Sequence, residues 1–222
     1  MSCEIRKMTF FSASGGLLLE GKMAWDAGNL PAPGIVVCHP HPLYGGSMEN
    51  NVVSALFDSF ARAGYVVLAF HFRGVGRSQG RYGEGEGELA DVAGAIDFLG
   101  NRPETSGCGL ALWGYSFGAW VGLRAAVGDG RIRCLGAVAP PLSLYSFDLA
   151  GTCRCPVYVL SGDRDPFCPV DSKESFVSNL RTGGSWQILP GADHFFWGFE
   201  EEIGRFAVEV SSRHLPARGW ED

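Results

Sequence analysis

Two rhythms of apolar residues alternate along the chain. Short, mostly apolar runs at residues 35–38, 65–72, 109–113, 134–139, 156–162 and 186–189 have the length of buried strands. Between them the apolar positions recur at helical spacing. Val53, Leu56, Phe57 and Phe60 mark a helix over residues 51–63, and Leu89, Val92, Ala93, Ile96 and Leu99 mark another behind the acidic run at 84–88. Further helices are predicted after residue 116, over 171–180 and over 200–214. Acidic residues at the start of the second helix complement its dipole. Strands alternating with helices predict a mostly parallel, twisted sheet with helices on both faces. Residues 9–12 and 17–23, joined through Ser14-Gly15-Gly16, predict an N-terminal antiparallel hairpin at one edge. Glycines and prolines in 26–34 mark a surface connection. The connections are too short for a large lid, and residues 1–222 read as a single α/β domain without repeats.

One stretch organises the rest. The apolar run Gly109-Leu110-Ala111-Leu112-Trp113 becomes Gly114-Tyr115-Ser116-Phe117-Gly118 and continues with helical spacing to Val127. Strand, Gly-x-Ser-x-Gly and helix together are the pattern of a nucleophile elbow. A serine at so tight a turn sits at strained backbone angles, and its neighbours two residues away must lack bulk. The helix that follows aims its first amides, including that of Phe117, at an oxyanion formed on a group attacked by Ser116.

Serine is a poor nucleophile alone and needs a base and an orienting acid. In the strand–turn–helix context the acid and then the histidine follow the serine. Only His194 and His214 lie beyond Ser116. His194 sits just past a predicted strand, where catalytic groups gather, whereas His214 ends the last helix as a dipole-friendly cap. The acid falls in the loop Ser161-Gly162-Asp163-Arg164-Asp165-Pro166. Asp163, directly after the glycine, suits a backbone-bonding turn role, so Asp165 is the expected orienting acid and Asp193 a weaker candidate. A second oxyanion donor is expected from the loop after residues 35–38. Pro40 and Pro42 have no N–H, which leaves His41, with Leu43 or Tyr44 as alternatives. His39 is expected as a buried, hydrogen-bonded imidazole. His39 and His41 lack the carboxylate or thiolate partners of a metal site, so no metal is expected. Tyr44, Phe117 and the run Phe195-Phe196-Trp197 serve either as packing or as apolar pocket walls. We take Tyr44, Phe195, Phe196 and Trp197 as candidate substrate-binding residues.

Residues 74–80 mimic a dinucleotide fingerprint, but they carry an extra residue before the last glycine and start no helix. No cofactor is therefore expected, and a strained turn explains the glycines better. A net charge of −6 disfavours nucleic-acid and anionic-membrane partners. No apolar run reaches the ~18 residues of a membrane span. The seven cysteines are scattered and the first residues lack an apolar leader, which predicts a cytoplasmic chain with free thiols, a monomer or homodimer acting on a small molecule.

These residues resemble the α/β-hydrolase superfamily, and more narrowly the small, lidless bacterial hydrolases related to dienelactone hydrolase. The resemblance covers nearly the whole chain. It rests on His39-Pro40-His41-Pro42 with Gly45-Gly46, on Phe72-Arg73-Gly74-Val75-Gly76-Arg77-Ser78, on the elbow, on Gly162-Asp163-Arg164-Asp165 and on Asp193-His194-Phe195-Phe196. It implies a cofactor-free serine hydrolase acting on carboxylic esters, with Ser116, His194 and Asp165 as its triad, the acid again falling in a Gly-x-x-Asp pattern. Two positions depart from the family. Ser116 stands where dienelactone hydrolases carry cysteine, and His71 stands where many members carry aspartate. A thioesterase is the nearest alternative, and a catalytically silent binding module is the rival of another class.

Overall fold

In the computed structural model, which describes residues 3–147, 153–172, 176 and 182–217, the alternating pattern becomes one eight-stranded sheet. The strands are β1 (Cys3–Phe11), β2 (Leu18–Asp26), β3 (Gly34–Cys38), β4 (Val66–Phe70), β5 (Leu110–Tyr115), β6 (Ile132–Val138), β7 (Val157–Gly162) and β8 (Gly184–Leu189). Their spatial order is β1-β2-β4-β3-β5-β6-β7-β8. Strands β4, β3 and β5 to β8 run parallel, and the β1–β2 hairpin joins antiparallel at one edge. This is the α/β-hydrolase fold. The hairpin is longer than its sequence pattern suggests. On the outer face of β1 most side chains are exposed, so only the inward positions carried a signal.

The helices among the described residues are α1 (Asn51–Arg62), α2 (Glu86–Gly100), α3 (Phe117–Ala126) and α4 (Glu200–Ser212). Helices α2 and α3 pack over one face of the sheet, α1 and α4 over the other. Strands β3, β4, β5 and β7 are buried at every position because both faces are covered. The helix expected over 171–180 falls largely outside the described residues; its first two residues lie in a short 3-10 turn, Val170–Ser172.

The crossover into α2 corrects one detail. Glu88 does more than complement the dipole: it is fully buried, and its carboxylate accepts from the Gly83 and Gly85 amides at 2.8 Å each. That pairing closes the first turn as a capping box does. The parallel strands all deliver their C-terminal ends to one edge, and the loops leaving β3, β5, β6 and β7 meet there.

Candidate active site

Ser116 forms the junction between β5 and α3, with φ 54° and ψ −119°. That conformation costs about 1–3 kcal/mol and survives only when the surroundings enforce it. The surroundings are two glycines. A Cβ on Gly114 would run into the Gly118 carbonyl, and one on Gly118 into the His39 and Cys38 carbonyls. These are backbone atoms of α3 and of the C-terminal end of β3, so nothing can move aside.

The structure brings three of the candidate residues together. His194 Nε2 lies 3.0 Å from Ser116 Oγ, and His194 Nδ1 lies 2.8 Å from Asp165 Oδ2. Asp165 Oδ1 accepts from the Phe167 and Cys168 amides at 2.8 and 3.1 Å. With both carboxylate oxygens acting as acceptors, Nδ1 carries the proton and Nε2 faces the serine hydroxyl as a base. Tyr115 donates its hydroxyl to the His194 carbonyl at 2.8 Å, fixing the loop beneath the ring. Ser116, Asp165 and His194 are all buried.

The other candidates go elsewhere. Asp163 accepts from the Gly191 amide at 2.7 Å, and Asp193 from the Phe195 amide at 2.9 Å. His214 meets the Tyr158 hydroxyl at 2.6 Å, away from the cavity.

Hydrogen bonding separates the oxyanion candidates. The Leu43 amide donates to His41 Nδ1 at 3.2 Å, and the Tyr44 amide donates to the His41 carbonyl at 3.1 Å. Both are spent. The amides of His41 and Phe117 have no acceptor among the described residues. His41 is held on its other sides: the Gly46 amide also binds its carbonyl, and its Nε2 lies 3.2 Å from the Tyr82 hydroxyl.

His39 is fully buried. Its Nδ1 donates to the Pro40 carbonyl at 2.6 Å and its Nε2 accepts from the Phe72 amide at 3.0 Å. Neither His39 nor His41 keeps a ring nitrogen free to ligate a metal. Burial, reinforced by the neighbouring His71 and His41, pulls the His39 pKa from 6.5 down to about 3, against the opposing pull of the Pro40 carbonyl. The unfolded chain takes up this proton below pH 6.5 while the folded chain refuses it until about 3. Stability is therefore present above that window and lost as pH falls through it, by at most about 1.4 kcal/mol per pH unit. Urea midpoints are expected to drop steadily from pH 6.5 towards 4, and His39→Gln to flatten that slope.

The departure at His71 also has an account. His71 Nδ1 lies 3.2 Å from Glu20 Oε2, which accepts the Arg77 amide at 2.9 Å. That amide, ahead of His71, holds the Glu20 carboxyl below its usual range. Arg73 closes on Asp91 through Nε and a terminal nitrogen, at 3.0 and 2.8 Å, and on Ser12. The glycine-rich loop is a braced turn.

A cavity of about 460 Å³ opens over Ser116 and His194. Tyr44 and Phe195 line it. Phe196 and Trp197 do not, which corrects two candidate assignments. Phe196 is fully buried in the core on the α1/α4 face, while Trp197 is 72% exposed outside the cavity. Three consecutive aromatics cannot share one direction; a central ring turned into the core sends its neighbours outward. The sequence reading missed Asn50, Pro141, Leu144, Tyr145 and Phe167, which also line the cavity. Their available signal was position alone, just before α1 for Asn50 and just beyond the ends of β6 and β7 for the others.

With the strand order and this geometry in view, similarity to known proteins has a definite meaning. Residues 22–165 match the X-Pro dipeptidyl-peptidase (S15) family. The chain belongs to that family. It is 36% identical over 208 residues to an uncharacterized protein of Rickettsia prowazekii, covering 88% of this chain and 87% of that one. A solved structure from Xanthomonas campestris, described as an α/β serine hydrolase without lid, superposes with a TM-score of 0.81 at 28% identity over 96% of each chain. A thiohydrolase of Arthrinium phaeospermum is 34% identical over 169 residues, 75% of this chain but 52% of that protein. Within the S15 family this chain is thus a serine-hydrolase-type α/β-hydrolase. None of its described helices is long and apolar enough to cross a membrane.

Proposed function

We propose that the protein is a serine hydrolase that cleaves small carboxylic esters through an acyl-enzyme on Ser116. One observation carries this reading: the unbroken Asp165–His194–Ser116 chain beneath an open cavity. His194 Nε2 takes the hydroxyl proton as Ser116 Oγ attacks the ester carbonyl. The free amides of Phe117 and His41 stabilise the oxyanion. Collapse of the tetrahedral species breaks the C–O bond, and His194 passes its proton to the departing alcohol. Water, deprotonated by His194, then attacks the acyl-enzyme and releases the acid and Ser116.

The thiohydrolase relative favours a second reading, thioester cleavage, since the same acyl chemistry serves both. Arg73 offers little to a phosphate-bearing thiol because Asp91 already occupies its guanidinium. Removal of a dipeptide is less well supported: it requires a partner for a free amino terminus, and no carboxylate lines the cavity among the described residues. The serine in place of cysteine speaks against dienelactone as substrate.

p-Nitrophenyl esters with acyl chains of two to twelve carbons, run beside matched acyl thioesters, test the reading. Ester turnover is expected to exceed thioester turnover, together with fluorophosphonate labelling of Ser116. A protein that neither labels nor cleaves any of these is a silent fold.

A further inference from the structure

Aromatic rings make up most of the cavity wall. Among the described residues it carries no Lys, Arg, Asp or Glu. Its rings brace one another, His41 against Phe117 at 4.8 Å and Phe167 edge-on to His194 at 4.8 Å, and Tyr145 stacks on Trp120 behind the wall at 4.2 Å. At the mouth, Tyr44, Leu144 and Phe195 are 86%, 60% and 56% exposed. Large rings left open to water around a catalytic opening gain most from a flat apolar occupant.

Among the described residues Asn50 supplies the one carboxamide on this wall, beside the hydroxyls of Tyr44, Tyr115, Tyr145 and Ser116 and the imidazoles of His41 and His194. Its Oδ1 accepts from the Ser47 amide at 2.8 Å, which fixes the orientation of the carboxamide. The Nδ2 group, a pure donor, is left without a partner among the described residues. A purely aliphatic acyl chain would strip water from this donor and offer nothing in return, a loss of affinity. An anionic group would be desolvated against walls that hold no lysine or arginine. A planar ring bearing a neutral acceptor meets both demands.

We propose that the physiological ester is that of an uncharged aromatic acid whose ring carries a neutral hydrogen-bond acceptor (ether, hydroxyl or carbonyl), and that Asn50 is the specificity residue reading that acceptor. The proposal rests on the serine-hydrolase reading above and narrows its substrate.

A series with the same reacting methyl ester tests it: methyl 4-methoxyphenylacetate, methyl phenylacetate, methyl hexanoate and the monomethyl ester of 4-carboxyphenylacetic acid, esterified on its acetic arm. The methoxy compound is expected to exceed methyl phenylacetate in kcat/KM by about 5- to 10-fold, the worth of one neutral hydrogen bond. Methyl hexanoate is expected to fall below both aryl esters, and the anionic ester to lag by about 100-fold or more. In Asn50→Asp the acceptor for Ser47 remains but the donor is gone, so the methoxy preference is expected to vanish or invert.

An unchanged preference in Asn50→Asp overturns the role of Asn50. Hexanoate cleaved as fast as the aryl esters overturns the substrate class, and this comparison needs only the wild-type protein. Fluorophosphonate labelling separates the two levels. Labelling of Ser116 with a flat or absent response to the aryl esters sinks this inference alone, whereas no labelling and no cleavage sinks the serine-hydrolase reading beneath it.

Discussion

Ser116→Ala is expected to lower kcat for ester hydrolysis by about 10⁶-fold, as loss of the nucleophile does where serine, base and acid act as one unit. The reason lies in the geometry at the elbow. His194 Nε2 is 3.0 Å from Ser116 Oγ, and in its absence water in an unfixed position is the remaining nucleophile. The substitution removes one oxygen at a position already in the left-handed region, with φ 54°, so fold and melting temperature are expected to change little. Steady-state hydrolysis and fluorophosphonate labelling, each compared with wild type, check it. A variant that keeps full activity would show that another group carries the chemistry.

Asp165→Asn is expected to cost about 10⁴-fold in kcat with the protein folded, for a reason specific to this loop. Asp165 Oδ1 already serves two backbone donors, Phe167 and Cys168, while Oδ2 serves His194 Nδ1. A carboxamide has only one oxygen. Two amide donors claim it, and the NH₂ is turned towards His194. The imidazole must then accept at Nδ1 and carry its proton on Nε2, where it can no longer take the proton of Ser116. Labelling of Ser116 is expected to slow in parallel, with KM altered far less than kcat. Equal losses on Asp163→Asn would contradict this division of labour, since Asp163 is engaged by the Gly191 amide.

The two variants also show why part of the site was readable early. Ser116 announces itself through strand, glycine spacing and helix, all set within a dozen residues. Asp165 and His194 are found by their place after β7 and β8, because parallel strands send all their C-terminal loops to one edge. The oxyanion donors were only half legible. Excluding the prolines left His41, Leu43 and Tyr44 open, and it took the observed Leu43 and Tyr44 hydrogen bonds to leave His41 alone. The aromatic run was legible as a feature and not as a direction: Phe195 turns to the cavity and Phe196 to the core.

Local order in the chain therefore determined the alternating architecture, the elbow and the residues that follow each strand. Periodicity and glycine placement act over a few residues and are written directly in the sequence. Only the tertiary structure decided which backbone amides stay free, that Asp91 occupies Arg73, and that Asn50 lines a ring-rich cavity without Lys, Arg, Asp or Glu among the described residues. Those outcomes depend on partners far apart in the chain, such as Asp165 with His194 and His39 with Phe72, and on which way each loop side chain turns. No periodicity encodes either, because both are set by packing between elements rather than within them.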